Sequence, residues 1–145
     1  MFVEKKASSN ERKSFQIVIG LTEGYGTNAV HTKDEVVGLI KDWLTHHVSV
    51  RVRPCITGGT LIPGTTVYAW KSPGTGLVAN DEEVLLFVGE VNPLYSFGVP
   101  DGEILRVLKE LASYLGTTLN QSRMYMTYRD QIFLLQNDKI GHPTD

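Results

Sequence analysis

The run Glu83-Val84-Leu85-Leu86-Phe87-Val88-Gly89 constrains this chain more than any other feature. Its apolar stretch, residues 84–88, has no polar side, so a strand made from it must lie inside a sheet with both faces covered. Any fold for the chain has to supply two covers for that strand. A chain of 145 residues is one ordinary domain, large enough to bury its own core without a disulfide or metal staple.

Strands and helices alternate around this run. The odd positions Phe15, Ile17, Ile19 and Leu21 are apolar, which predicts a strand over 15–21 with one buried face. Thr32 and Glu35 form a capping box, and Val36, Val37, Ile40, Trp43 and Leu44 follow at helical spacing. Val48, Val50 and Val52 then alternate with Ser49, Arg51 and Arg53, which predicts a second strand stopped by Pro54. A short third strand is expected over 65–71 and a loop over 72–81. Beyond the apolar run, 92–100 reads as a loop and Asp101 as the N-cap of a second helix. Ile104, Leu105, Leu108, Leu111, Ala112 and Leu115 give that helix one apolar stripe, closed by Gly116. A strand over 123–128, a turn at Arg129-Asp130 and a short strand over 132–135 complete the chain.

The order predicts an α+β fold in which two βαβ units form a ferredoxin-like plait. Its four-stranded sheet carries two helices on one face, plus short extra strands. Residues 1–13 read as a flexible extension, 14–136 as a single domain and 137–145 as a tail. Right-handed crossovers place both helices on one side of the sheet. The other side is then left open although 84–88 is apolar toward it, so a second copy of the chain is the expected cover.

Charge narrows the partners. Lys plus Arg number 14 and Asp plus Glu 16, a net charge of -2, which disfavours nucleic-acid wrapping and polybasic membrane binding. The lone Cys55 has no disulfide partner, no apolar run approaches the roughly 20 residues of a membrane span, and residues 1–14 lack a signal-peptide core. A cytoplasmic location is expected.

The segment Ser122-Arg123-Met124-Tyr125-Met126-Thr127-Tyr128-Arg129-Asp130 resembles the penultimate strand and closing turn of the tautomerase superfamily, the trimeric barrels of the macrophage migration inhibitory factor type. Residues 14–135 follow the same element order. The resemblance implies a homotrimer and a pocket in which Tyr125 comes from a neighbouring subunit, with Thr127 beside it. It also implies that Arg51 and Arg53 stand where some members hold a substrate carboxylate. The family's N-terminal proline, whose amine moves a proton between carbon and oxygen of a keto acid, is absent. Here Met1 precedes Phe2, and the first strand begins near Lys13 and Ser14, inside the polypeptide, where the backbone nitrogen is a non-basic amide.

The residues themselves offer a few chemical candidates. A desolvated Lys13 amine could act as a base or Schiff-base nucleophile, against the plainer reading of a solvated lysine. His31 could serve as a general base if it faces a pocket. Arg51 and Arg53 share a strand face and could clamp a small anionic ligand, or simply guard an edge. His46 and His47 point about 100° apart on a helix, which argues against a metal. Gly20, Gly24 and Gly26 match no nucleotide-loop spacing, so no cofactor is expected. The leading expectation is an oligomeric binding or protein-interaction module without proline-dependent tautomerase activity. The alternatives are an enzyme, isomerase or lyase, acting on a small carbonyl-containing acid, and a regulatory or assembly domain with no pocket.

Overall fold

The computed structural model describes residues 1–4, 12–23, 29–74 and 76–138. In chain order the elements are β1 (Ser14–Gly20), α1 (Lys33–Val50), β2 (Thr60–Ser72), β3 (Gly76–Glu90), α2 (Pro93–Ser96), α3 (Asp101–Thr118), β4 (Arg123–Tyr128) and β5 (Gln131–Gln136). The strands form one sheet in the order β2-β3-β1-β4-β5. Every neighbouring pair is antiparallel. The α+β expectation holds, and the order is compatible with a ferredoxin-like plait. The sheet has five strands rather than four, because β5 pairs with β4 along its whole length.

One face of the sheet carries the core. Phe15, Ile17 and Ile19 of β1 align with Leu85 and Phe87 of β3 and with Met126 and Tyr128 of β4. These side chains pack with Val36 and Ile40 of α1 and with Ile104, Leu108, Leu111 and Leu115 of α3 in a single buried cluster. The stripe read along α3 is therefore buried as spaced except at Leu105, which is half-buried, and Val107 joins it. Gly116 does not end that helix, which continues to Thr118, and the cap position is Pro100 without a side-chain hydrogen bond. The glycine is needed for space instead: a Cβ there would meet Met124 Cγ at 2.8 Å.

The predicted strand at 48–53 does not form. The capping box is present as read, with Glu35 N donating to Thr32 Oγ1 at 3.2 Å, but α1 runs on to Val50. His47 is buried and stacked on Trp43 at 4.7 Å between ring centroids, which keeps the last turns on the domain. Val48, Val50 and Val52 are all exposed. Their alternation had no buried face behind it, and each further helical residue adds a backbone hydrogen bond at little cost.

The predicted loop at 72–81 is largely strand. β2 and β3 form a hairpin from Thr60↔Val88 to Ser72↔Gly76, with Gly74 and Gly76 at positive φ in the turn region. Within β3, only 84–90 pairs with β1, so the outer half of the hairpin extends beyond the rest of the sheet. The predicted loop at 92–100 contains α2, capped by Asn92, whose Oδ1 accepts from Leu94 N.

The extension read over 1–13 falls partly outside the described residues, at 5–11. Its last residues are tied down: Arg12 pairs with Glu90 at 2.6 Å, and the Lys13 carbonyl accepts from Val91 N. Of the tail at 137–145, Asn137 N donates to the Ser122 carbonyl, and 139–145 lie outside the described residues. So do Gly24 and Gly26. Among the described residues no helix is long and apolar enough to cross a membrane.

Candidate functional site

The second face of the sheet is open within one chain, although the unbroken apolar run 84–88 is apolar toward it. Strand register puts Ile62, Val18, Leu86, Val88, Tyr125, Ile132 and Leu134 on it, opposite to the helices. Ile62, Tyr125 and Leu134 are 43%, 45% and 47% exposed, and Ile132 is 74% exposed. Contiguous apolar surface of this kind marks a site of association or ligand contact.

The same register carries the open face outward along the hairpin, where the side chains change character. Thr66 pairs with Glu82, Tyr68 with Asn80 and Trp70 with Val78, all on the open side. The rings of Tyr68 and Trp70 stack at 5.4 Å with 15° between their planes. Glu82 is half-buried, has no hydrogen-bond partner among the described residues, and has its carboxyl held above the usual range by desolvation.

Gly20, at the end of β1, makes room for this arrangement. A Cβ on it would lie 2.4 Å from Gln121 Oε1 and 3.5 Å from Glu82 Oε1. Gln121 is itself buried, with Nε2 donating to the Thr22 carbonyl at 2.9 Å and the Leu119 carbonyl at 3.3 Å. A partly dry carboxylate, a buried amide and a stacked aromatic pair thus follow an apolar row on one surface. Such a surface can stack a planar ring, accept hydrogen bonds from hydroxyl or ammonium groups and cover an apolar tail.

The residues singled out from the sequence fall in separate places. Tyr125 and Thr127 lie on the open face, beside Val18 and Gln16. Lys13 sits at the opposite end of β1 from Glu82, its Nζ 3.7 Å from Asp101 Oδ1. Asp101 also accepts from Tyr128 Oη at 2.6 Å and Arg129 at 3.1 Å, and the tyrosine bond is the chief reason its carboxyl is depressed. Asp101, Tyr128 and Arg129 line a cavity of about 750 Å³ with Arg12 and Ser14, and Lys13 is not part of its wall. His31 is at the other end, past β1, so a strand of seven residues, roughly 20 Å, separates it from Lys13.

Arg51 and Arg53 share no strand face, since no strand exists there. They flank a cavity of about 530 Å³ between the end of α1 and the start of α3, lined also by Cys55, Val99 and Val107. Arg51 is held by Glu103 at 2.9 Å and Glu110 at 3.5 Å, and Arg53 donates to the Phe97 carbonyl at 3.1 Å. Within one chain neither arginine lies with Tyr125.

Glu82, Tyr68 and Trp70 were not anticipated. The signal was present in the spacing: Glu82, Val84, Leu86 and Val88 form one period-two row, a carboxylate heading an apolar strand face. Tyr68 and Trp70 show the same spacing on β2.

No family model and no curated protein matches the chain. Its fold is similar to that of a phage SAM lyase in complex with S-methyl-5'-thioadenosine, at TM-score 0.60 and 14% identity over 92% of this chain and 100% of that one. It is also similar to a phage SAM lyase in the apo state, at TM-score 0.53 and 14% identity over 95% of this chain and 98% of that one. The protein is therefore an α+β chain whose fold, over most of its length, is similar to that of a phage SAM lyase.

Proposed function

We propose that the chain is a cytoplasmic enzyme that binds an adenosyl thioether or sulfonium on the open sheet face and cleaves S-adenosylmethionine there, as a homotrimer. Glu82 carries this reading: a partly dry, unpartnered carboxylate on the same hairpin face as a stacked aromatic pair, in a chain with the fold of a lyase whose bound ligand is S-methyl-5'-thioadenosine. Tyr68 and Trp70 offer a π surface to the purine, and Glu82 accepts hydrogen bonds from the ribose hydroxyls. The apolar row from Val84 to Val88 takes the thioether methyl.

The chemistry suits such a surface. As the substrate's own carboxylate oxygen bonds to Cγ, the Cγ–S bond breaks and its electron pair passes to sulfur. The products are a neutral thioether and a lactone that keeps the ammonium. No co-reactant is needed. Opposite charges cancel in this step, so a dry, apolar site favours the transition state over the charged ground state. Covering the face with further copies of the chain would exclude the water, and Tyr125 would then stand at the junction between copies.

Incubation with S-adenosylmethionine, followed by chromatography for S-methyl-5'-thioadenosine, tests the activity. Release above the protein-free rate is expected, and no release overturns the lyase reading. Binding of S-methyl-5'-thioadenosine without turnover would instead make the chain a binding module. For the assembly, Leu86→Arg puts a charge in the middle of the open face without touching the core. Light scattering should find a trimer for the wild type and a monomer of unchanged circular dichroism for the variant. A monomeric wild type would end the trimer proposal.

A further inference from the structure

His31 is gripped by three elements at the end of the sheet where Glu82 lies. Its Nδ1 is 2.8 Å from Glu35 Oε2, in the first turn of α1. Its Nε2 is 3.1 Å from Glu23 Oε1, just past β1, and 3.0 Å from the Leu119 carbonyl at the end of α3. All three atoms are acceptors. A neutral imidazole has one N–H and would set a lone pair against oxygen on its other side, whereas the imidazolium donates in both directions.

The junction continues toward Glu82. The Leu119 carbonyl that accepts from His31 also accepts from Gln121 Nε2, and Gln121 and Glu82 each approach Gly20, within reach of a Cβ placed there. Asn120 Nδ2 donates to Glu23 Oε2 at 3.3 Å on the other side. The charged groups facing the ring are Glu23 and Glu35, and α3 presents the negative end of its dipole.

We propose that His31 is a positioning residue whose imidazolium ties the ends of β1, α1 and α3 together, fixing Gln121 and Gly20 beside Glu82, and that losing its proton loosens that end of the sheet. The tie stands on its own geometry. Its effect on a ligand rests on the reading of Glu82 as a binding group.

The pH dependence has a definite sign. The Glu35 hydrogen bond, ahead of other causes, raises His31 above the ordinary imidazole range, and the same bond lowers Glu35. A raised histidine contributes fully below the unfolded pKa of about 6.5 and loses that contribution as pH rises through the folded value. Glu35 contributes above the ordinary carboxylate range and loses its share as pH falls through its depressed value. The tie is strongest between the two.

The test is an NMR titration of His31, together with hydrogen exchange at the amides of Glu23 and His31, in wild type, His31→Gln and His31→Arg. Those amides donate to the Ala29 and Leu21 carbonyls at 2.9 and 2.6 Å. In the wild type, protection corrected for intrinsic exchange should fall as pH rises, up to tenfold for each unit by which the imidazolium is raised. His31→Gln should be poorly protected throughout, and His31→Arg well protected and flat with pH. A His31 that titrates at or below the ordinary value, or wild-type protection that ignores pH, would overturn the tie. Affinity for S-methyl-5'-thioadenosine over about pH 5.5–8.5 separates the two readings. A titrating tie with no binding at any pH sinks the Glu82 site alone. Binding that stays constant while the tie titrates removes the coupling between them.

Discussion

Glu82→Gln should slow release of S-methyl-5'-thioadenosine from S-adenosylmethionine by at least about 100-fold while making the protein more stable at neutral pH. The loss of rate is of the size seen when one preorganised polar group is removed from a reaction site. The gain in stability follows from burial, which raises the Glu82 carboxyl with no partner to offset it. An acid raised in this way carries no penalty below the ordinary carboxylate pKa, and the penalty grows as pH rises through the folded value. Glutamine removes the charge and with it this slope. Urea titrations at several pH values, beside the turnover assay, check both halves. A variant that loses stability and keeps full activity would show Glu82 to be structural.

Leu111→Ala should lower the unfolding free energy by about 2–5 kcal/mol and the thermal midpoint by roughly 6–15 °C. Leu111 is fully buried in α3, within the cluster that joins both long helices to the sheet, so the removed methyl groups leave a cavity that rigid neighbours cannot fill. Val52→Ala is the control. That side chain is 97% exposed, and its loss should stay within about 0.5 kcal/mol. Scanning calorimetry on the two variants tests whether α3 anchors the fold. A Leu111→Ala midpoint within a degree or two of wild type would show that it does not.

The elements that could be read from the sequence were those whose pattern is repaid by burial. Phe15, Ile17 and Ile19 alternate and are buried, the α3 stripe is buried as spaced apart from half-buried Leu105, and Thr32 and Glu35 cap α1 through local bonds. Arg129 takes the left-handed conformation, at φ 55, in the turn read at 129–130. Misreadings fell where the pattern lacked a partner. Val48, Val50 and Val52 alternate toward solvent, so the hydrogen bonds of α1 prevailed over β propensity. Residues 76–81, with two acids or amides and two glycines or alanines, look like a loop, yet pairing with β2 draws them into β3.

The candidate site was less legible, because it depends on strand register. Tyr125 and Thr127 were found through a resemblance, and both do face the open surface. Glu82, Tyr68 and Trp70 share one face of the hairpin only because β2 and β3 pair with Thr66 opposite Glu82, a choice made by the hairpin turn and its whole ladder. The alternation over 48–53 predicts Arg51 beside Arg53 as an anion clamp or edge guard, but its partners Glu103 and Glu110 come from a helix about 50 residues away in sequence.

By itself the sequence determined that one strand, 84–88, is apolar on both sides, that two amphipathic helices must cover it from one face, and that the other face is left without a cover. Those are consequences of local periodicity and of the cost of wetting apolar surface, and they need no coordinates. Tertiary structure decided which polar groups share that open face and which end of it they occupy. Register, helix length and the close approach at Gly20 are set by contacts between residues far apart in the chain, so only the folded molecule brings Glu82, Gln121 and His31 to the same end of the sheet.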